Sequence, residues 1–330
     1  MQMLLAQLCQ IQHFIASIGL GSSVNPFEVF SQYTFHIAVV GTVILAIGCS
    51  LIGTFNVLKG QALIGDAVGH ASYPGIIIAF ILVMSRNTLL LTVGASVAGL
   101  VAYALIQQIV HHSRLGSDAA MAIILSSFFG LGSMLNAYVT TSDKFARVAQ
   151  AGLQNYVFGQ AADMLYSDLY LIGGATVLSL ILLFLYIKEV KLSVFDPTFA
   201  QTAGFRPRLL NTLLLVMAML LISQGLKTIG VILISSLFIC PYIAASQWTC
   251  KLNVSLLLSA IFAACSAFLG TWLSSLYNGV STGPAIICIL SSVALISILI
   301  GPRGMLATKH RQRRQLKSEL TESRMREERA

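Results

Sequence analysis

Charge is what this sequence has least of. Only 10% of its 330 residues are charged and 56% are hydrophobic, whereas a soluble domain carries roughly a quarter charged and just under half apolar residues. With a mean hydropathy of +0.83, such a chain cannot keep a solvated surface. Soluble enzyme folds are excluded, and the composition points to an all-α, polytopic membrane protein. Paired thiols are missing too. The six cysteines (Cys9, Cys49, Cys240, Cys250, Cys265 and Cys288) include no CxxC pair, so neither a disulfide framework nor a thiolate metal site is expected. Met1 to Gly21 is apolar but holds no Lys or Arg, and a cleaved secretory signal needs a basic start, so cleavage is not expected. There is no HExxH and no GxxxxGK[ST], so the chain is not expected to be an enzyme or to hydrolyse ATP by itself.

The charge that is present is unevenly spread. Of 20 basic and 12 acidic residues, 9 basic and 4 acidic lie between Arg303 and Ala330. The net charge of +8 therefore describes mainly a tail, and nucleic acid is not an inferred partner. Residues 303–330 read as a solvated basic cytoplasmic tail near anionic lipid headgroups.

A membrane helix needs about 20 mostly apolar residues. Nine runs qualify: Phe35–Val57, Ala67–Met84, Thr88–Val110, Ala119–Thr140, Ser167–Ile187, Leu209–Ser223, Thr228–Gln247, Val254–Leu273 and Pro284–Ile300. Ala67–Met84 and Leu209–Ser223 are short enough to be broken or re-entrant, so eight or nine spans are expected. The chain divides into an N-terminal extracytoplasmic or interfacial segment (1–34), a transmembrane domain (35–302) and the tail. With nine spans and the tail inside, 16 basic residues fall on the cytoplasmic side and 4 outside, which the positive-inside rule favours.

Two loops exceed simple connections. Thr141–Tyr166, on the outer side, contains Asn155-Tyr156-Val157-Phe158-Gly159 and reads as an interfacial or dipping helix. The cytoplasmic segment 188–208 contains Asp196, fit to cap a helix, Pro197 at the first helical position and Gly204 as the stop. A helix of about two turns is expected there, displaying Phe195, Phe199 and Phe205. Exposed aromatics beside basic residues mark a docking surface, although an ordinary amphipathic surface helix shares the pattern.

Ionisable residues inside a membrane are costly and usually functional. Asp66 and His70 stand four apart, so a helix projects both from one face. A carboxylate oxygen beside an imidazole nitrogen is half of a site for Mn, Fe or Zn. The alternative is that Asp66 caps the helix and His70 packs against a neighbour. Pro74-Gly75 predicts a kink or break shortly after, as broken helices frame transport sites, and two ligands call for a symmetric partner to supply more. The remaining candidates are weaker: His111 and His112 read as a solvated helix end, and His36 as interfacial. His13 and His310 lack supporting neighbours. Asp118 reads as an N-cap, Asp163 and Asp168 as interfacial, and Met217 and Met219 as packing.

Three stretches carry a family resemblance. Gly60–Gly75 (GQALIGDAVGHASYPG) resembles the GDA..H...PG segment of the manganese/zinc/iron-chelate (ABC-3 type) class of ABC transporter permeases. Lys188–Gly204 (KEVKLSVFDPTFAQTAG) is similar to that family's FDP cytoplasmic segment, and Gly225–Ala244 to its proline-containing helix. Tyr156-Val157-Phe158-Gly159 resembles a fourth element. The resemblance runs from about Phe27 to Pro302. It implies a permease that pairs as a dimer with a like or different permease and binds two ATP-hydrolysing subunits through Phe195, Asp196, Pro197, Phe199 and Gly204. Metal would arrive from an extracytoplasmic solute-binding lipoprotein. It further implies that Asp66 and His70 contact the translocated ion, that Pro74, Gly75 and Pro241 break or gate helices, and that the chain sits in the bacterial inner membrane. No permanently bound cofactor is implied, only a transported Mn, Zn or Fe ion. Tyr73 departs from the small or aliphatic residue usual there, which would narrow the path, and the tail has no family counterpart. The competing reading is an ATP-independent secondary metal transporter or channel, which would have no use for a docking segment.

Overall fold

The structure, a computed structural model, describes residues 33–84, 88–142, 164, 166–277 and 280–304. The expectations for Cys9, His13, Asn155–Gly159, Asp163, His310 and the tail beyond Gly304 lie outside the described residues.

Long apolar stretches without interior charge form helices because a bilayer leaves each backbone N–H and C=O no partner but its own chain. Eleven helices are described: α1 (Tyr33–Leu58), α2 (Ile64–Val83), α3 (Thr88–His112), α4 (Ser117–Thr141), α5 (Tyr166–Leu185), α6 (Ile187–Phe195), α7 (Pro197–Thr202), α8 (Pro207–Thr228), α9 (Val231–Ser246), α10 (Leu252–Leu276) and α11 (Thr282–Ile300). Eight are long and apolar enough to cross a membrane, and α9 is a shorter apolar helix. At 1.5 Å per residue α9 spans ~24 Å, less than a ~30 Å hydrocarbon core.

This corrects the sequence expectation about which spans are short. The runs read as Ala67–Met84 and Leu209–Ser223 are full helices, α2 and α8, extended through polar residues at their ends. The short one is α9, and it begins after a break at Gly230, whose φ of 91° and ψ of 162° suit glycine alone.

The prolines do not break their helices. α2 runs on through Pro74-Gly75 and α9 through Pro241. Each proline removes one i→i−4 hydrogen bond, to the carbonyls of His70 and Leu237 respectively, but packing holds the helix course. Pro74 lies against Gly132 of α4, where an added Cβ would meet its Cδ at 3.1 Å. Gly75 is a close-packing residue, since a Cβ on facing Gly94 of α3 would come within 2.6 Å of the Gly75 carbonyl.

α1 and α9 form the centre. α1 packs on α5, α8, α9 and α10, while α9 packs on α1, α2, α10 and α11. The α1–α9 crossing is tight, with a Cβ on Gly53 falling 2.6 Å from the Phe238 Cα. Buried hydroxyls tie α1 to α10, as where the Thr42 and Thr271 hydroxyls meet at 3.1 Å. α2, α3 and α4 pack together on one flank. At one end of the bundle lie Lys59, Arg114, Lys188, Lys191, Arg206, Arg208, Lys251 and Arg303. Cross-contacts there include the Arg303 N–H donating to the Gln247 carbonyl at 3.2 Å and Lys191 Nζ donating to Asn253 Oδ1 at 2.6 Å. Short helices α6 and α7 belong to this basic end.

Candidate functional site

α2 starts at Ile64, after the turn from α1, with Leu63 at its N-cap position and no side-chain cap bond. Asp66 is thus the third helical residue and not the cap. There the positive end of the helix dipole favours a carboxylate. One turn on, His70 Nε2 lies 3.4 Å from Asp66 Oδ1. The His70 and Asp66 side chains are 16% and 28% exposed, largely enclosed but open on one side. The His70 ring meets Phe129 of α4 edge-on at 5.1 Å, and Phe129 also stacks with Tyr73 at 6.3 Å. His70 Nδ1 is buried and has no hydrogen-bond partner among the described residues.

The spacing decides what the pair can hold. Two ligand atoms each about 2.1 Å from one metal at a tetrahedral angle stand ~3.4 Å apart. Asp66 Oδ1 and His70 Nε2 could therefore meet one ion with little movement. Among the described residues no group of three or more His, Cys, Asp or Glu forms a metal cluster, so one chain offers two side-chain ligands. The pair occupies the first two turns of α2, nearer the basic end than the middle of the helix. Tyr73 is buried against α4, where a Cβ on Gly132 would meet its ring at 2.5 Å.

The segment that follows α6 folds as its caps dictate. Asp196 Oδ1 accepts the Phe199 N–H at 2.9 Å and the Thr198 hydroxyl at 2.6 Å, and Pro197 opens α7. The Phe199 N–H, and then the Thr198 hydroxyl, hold the Asp196 carboxyl below the ordinary range. At the other end the Gly204 N–H donates to the Gln201 carbonyl and the Phe205 N–H to that of Ala200. Those are the two bonds of a Schellman stop, with Gly204 at φ 86°. Phe195, Phe199 and Phe205 are exposed, so a rigid, capped knob presents three aromatics at the basic end.

Sequence reasoning missed a polar chain beside that knob. Lys59 Nζ donates to Asn211 Oδ1 near the start of α8, and Asn211 Nδ2 donates to the Tyr103 hydroxyl at 3.0 Å. Burial lowers the Lys59 amine to about 8. No local spacing could announce this chain, which joins three helices. Other assignments stand or shift plainly. His111 and His112 are exposed, and Met217 and Met219 are core. Asp118 is the second residue of α4, behind an N-cap at Gly116, and Asp168, in the first turn of α5, is buried.

The model of the ABC 3 transport family matches residues 31–301. The zinc transport system membrane protein TroC of Treponema pallidum (strain Nichols) is 39% identical over 288 residues, covering 87% of this chain and 96% of that protein. The manganese transport system membrane protein MntC of Bacillus subtilis (strain 168) is 35% identical over 269 residues, covering 82% of this chain and 61% of that one. Among solved structures, PsaBC from Streptococcus pneumoniae in complex with Fab matches with a TM-score of 0.73 at 26% identity, covering 91% of this chain and 99% of that chain.

Proposed function

The chain belongs to the ABC 3 transport family, and from that premise we propose that it is the membrane permease of an ATP-binding-cassette importer that carries a divalent transition-metal ion, Mn, Zn or Fe, into the cytoplasm. The observation that carries this reading is the capped knob α7. Three exposed aromatics on a rigid turn beside basic side chains suit a protein partner, and an ATP-independent carrier has no need of one. Phe195, Asp196, Pro197, Phe199 and Gly204 build the seat for a cytoplasmic ATP-hydrolysing subunit.

The basic end is then cytoplasmic by the positive-inside rule, which puts the tail inside and leaves an extracytoplasmic lipoprotein to deliver metal at the far end. The membrane is the bacterial inner membrane. Asp66 and His70 contact the ion in transit, and a second permease subunit across a two-fold axis doubles the ligand set to two carboxylates and two imidazoles. Mixed oxygen and nitrogen ligands accept Mn, Fe and Zn alike. That tolerance agrees with relatives named for zinc and for manganese.

Replacing Phe199 with Ala is expected to lower co-purification of the ATPase severalfold while membrane insertion is kept. In proteoliposomes holding the whole complex, metal uptake should need ATP and fall in parallel. Full recovery of the ATPase with Phe199→Ala would remove the docking role. ATP-independent uptake by the permease alone would replace the importer with a secondary carrier.

A further inference from the structure

A second surface at the basic end has the chemistry of a lipid seat. Between α1, α5–α6 and α10 lies a groove of about 420 Å³, walled by Leu51, Leu183, Phe184, Leu256 and Leu257, with Lys191 and Asn253 at its mouth. From the level of Asn253 to Ala260 at its far end the groove runs ~10 Å along α10, within the ~15 Å depth of one leaflet's hydrocarbon. Its walls are apolar, and the mouth carries a cation. Lys191 donates one hydrogen bond, to Asn253 Oδ1 at 2.6 Å. An ammonium has three N–H donors, and no described carboxylate forms a salt bridge with it. Lys188, one turn back on α6, is exposed on the same side of the helix. Glu189, two residues from Lys191, projects from another face and does not line the groove.

We propose that this groove binds one anionic phospholipid, its acyl chain between α5 and α10 and its phosphate on Lys191. A bare apolar groove in a bilayer takes any lipid tail. The unpaired cation at headgroup depth selects the charge of the lipid, because basic side chains at this level attract anionic headgroups. The lipid would brace α6, which leads directly into α7, against α1 and α10. The seat goes beyond the transport reading and needs only that the chain lies in a bilayer.

The test is native mass spectrometry of the full chain in detergent, titrated with phosphatidylglycerol or phosphatidylcholine of the same acyl length. This readout does not involve transport, so its failure leaves the importer reading untouched. Wild type should retain phosphatidylglycerol preferentially. Lys191→Gln, which keeps a side-chain amide to meet Asn253, should cut that preference about fivefold and leave phosphatidylcholine binding unchanged. Leu257→Trp, at an exposed wall position, should reduce occupancy by either lipid by filling the groove. Equal binding of the two lipids by wild type, an unchanged preference in Lys191→Gln, or full displacement of phosphatidylglycerol by inorganic phosphate would each overturn the proposal.

Discussion

Asp66→Asn is expected to abolish metal uptake while the complex still assembles. The substitution keeps size and hydrogen-bonding capacity, removes only the charge, and does so at a position that is not the cap of α2. As a metal ligand, a neutral amide oxygen neutralises none of a divalent ion's charge, and moving an uncompensated ion through a low-dielectric path is prohibitive. Even partners outside the first coordination shell change metal affinity by about 10–100-fold, so loss of the carboxylate itself should lower uptake by at least that factor. His70→Ala should be nearly as severe, because it deletes the nitrogen 3.4 Å from Asp66 Oδ1. Co-purification of the ATPase should be unchanged in both, since α7 is built from a separate segment. Wild-type uptake by Asp66→Asn would reduce the pair to a helix-end ion pair and end its assignment to the path.

What could be read from the sequence was local. Membrane spans were legible because hydropathy over about twenty residues reports solvent directly. The knob was legible because Asp196, Pro197 and Gly204 act within one turn of where they stand. So was the neighbourhood of Asp66 and His70, fixed by helical spacing alone. Span ends were harder to read. Asp66 interrupts the apolar run of α2, and Gln224 and Lys227 interrupt that of α8, yet both helices continue through them. Pro74 and Pro241 misled for a related reason: the lost hydrogen bond is a local penalty, whereas the contact of Pro74 with Gly132 joins residues 58 positions apart. The real break, at Gly230, lies in an apolar stretch where glycine gives no hydropathy signal. Phe129 against His70, and the Lys59–Asn211–Tyr103 chain, are products of packing and leave no trace in any short window.

The same packing makes Gly53 the position least able to accept a side chain. Gly53→Ala adds a single methyl, and helix propensity alone would favour the change by about 1 kcal/mol. That methyl, however, would lie 2.6 Å from the Phe238 Cα and 2.7 Å from its carbonyl carbon. These are backbone atoms of α9, with no rotamer to turn away. α1 and α9 must separate, and because α1 also holds α5, α8 and α10, the displacement opens the centre of the bundle. Overpacking a close-packed core costs about 1–3 kcal/mol and sometimes more, and membrane helices depend on close packing, having no hydrophobic drive to associate. The melting temperature of the purified protein should fall by about 2–4 °C, on the usual scaling of roughly 1–2 °C per kcal/mol for a chain of 330 residues, and the yield of folded protein should fall with it. Gly173→Ala is the matched control, since a Cβ there meets no described atom within 4 Å. That variant should be as stable as wild type or slightly more so. If both variants melted together, the α1–α9 crossing would not be the rigid centre on which the α2 pair and the α7 knob are mounted.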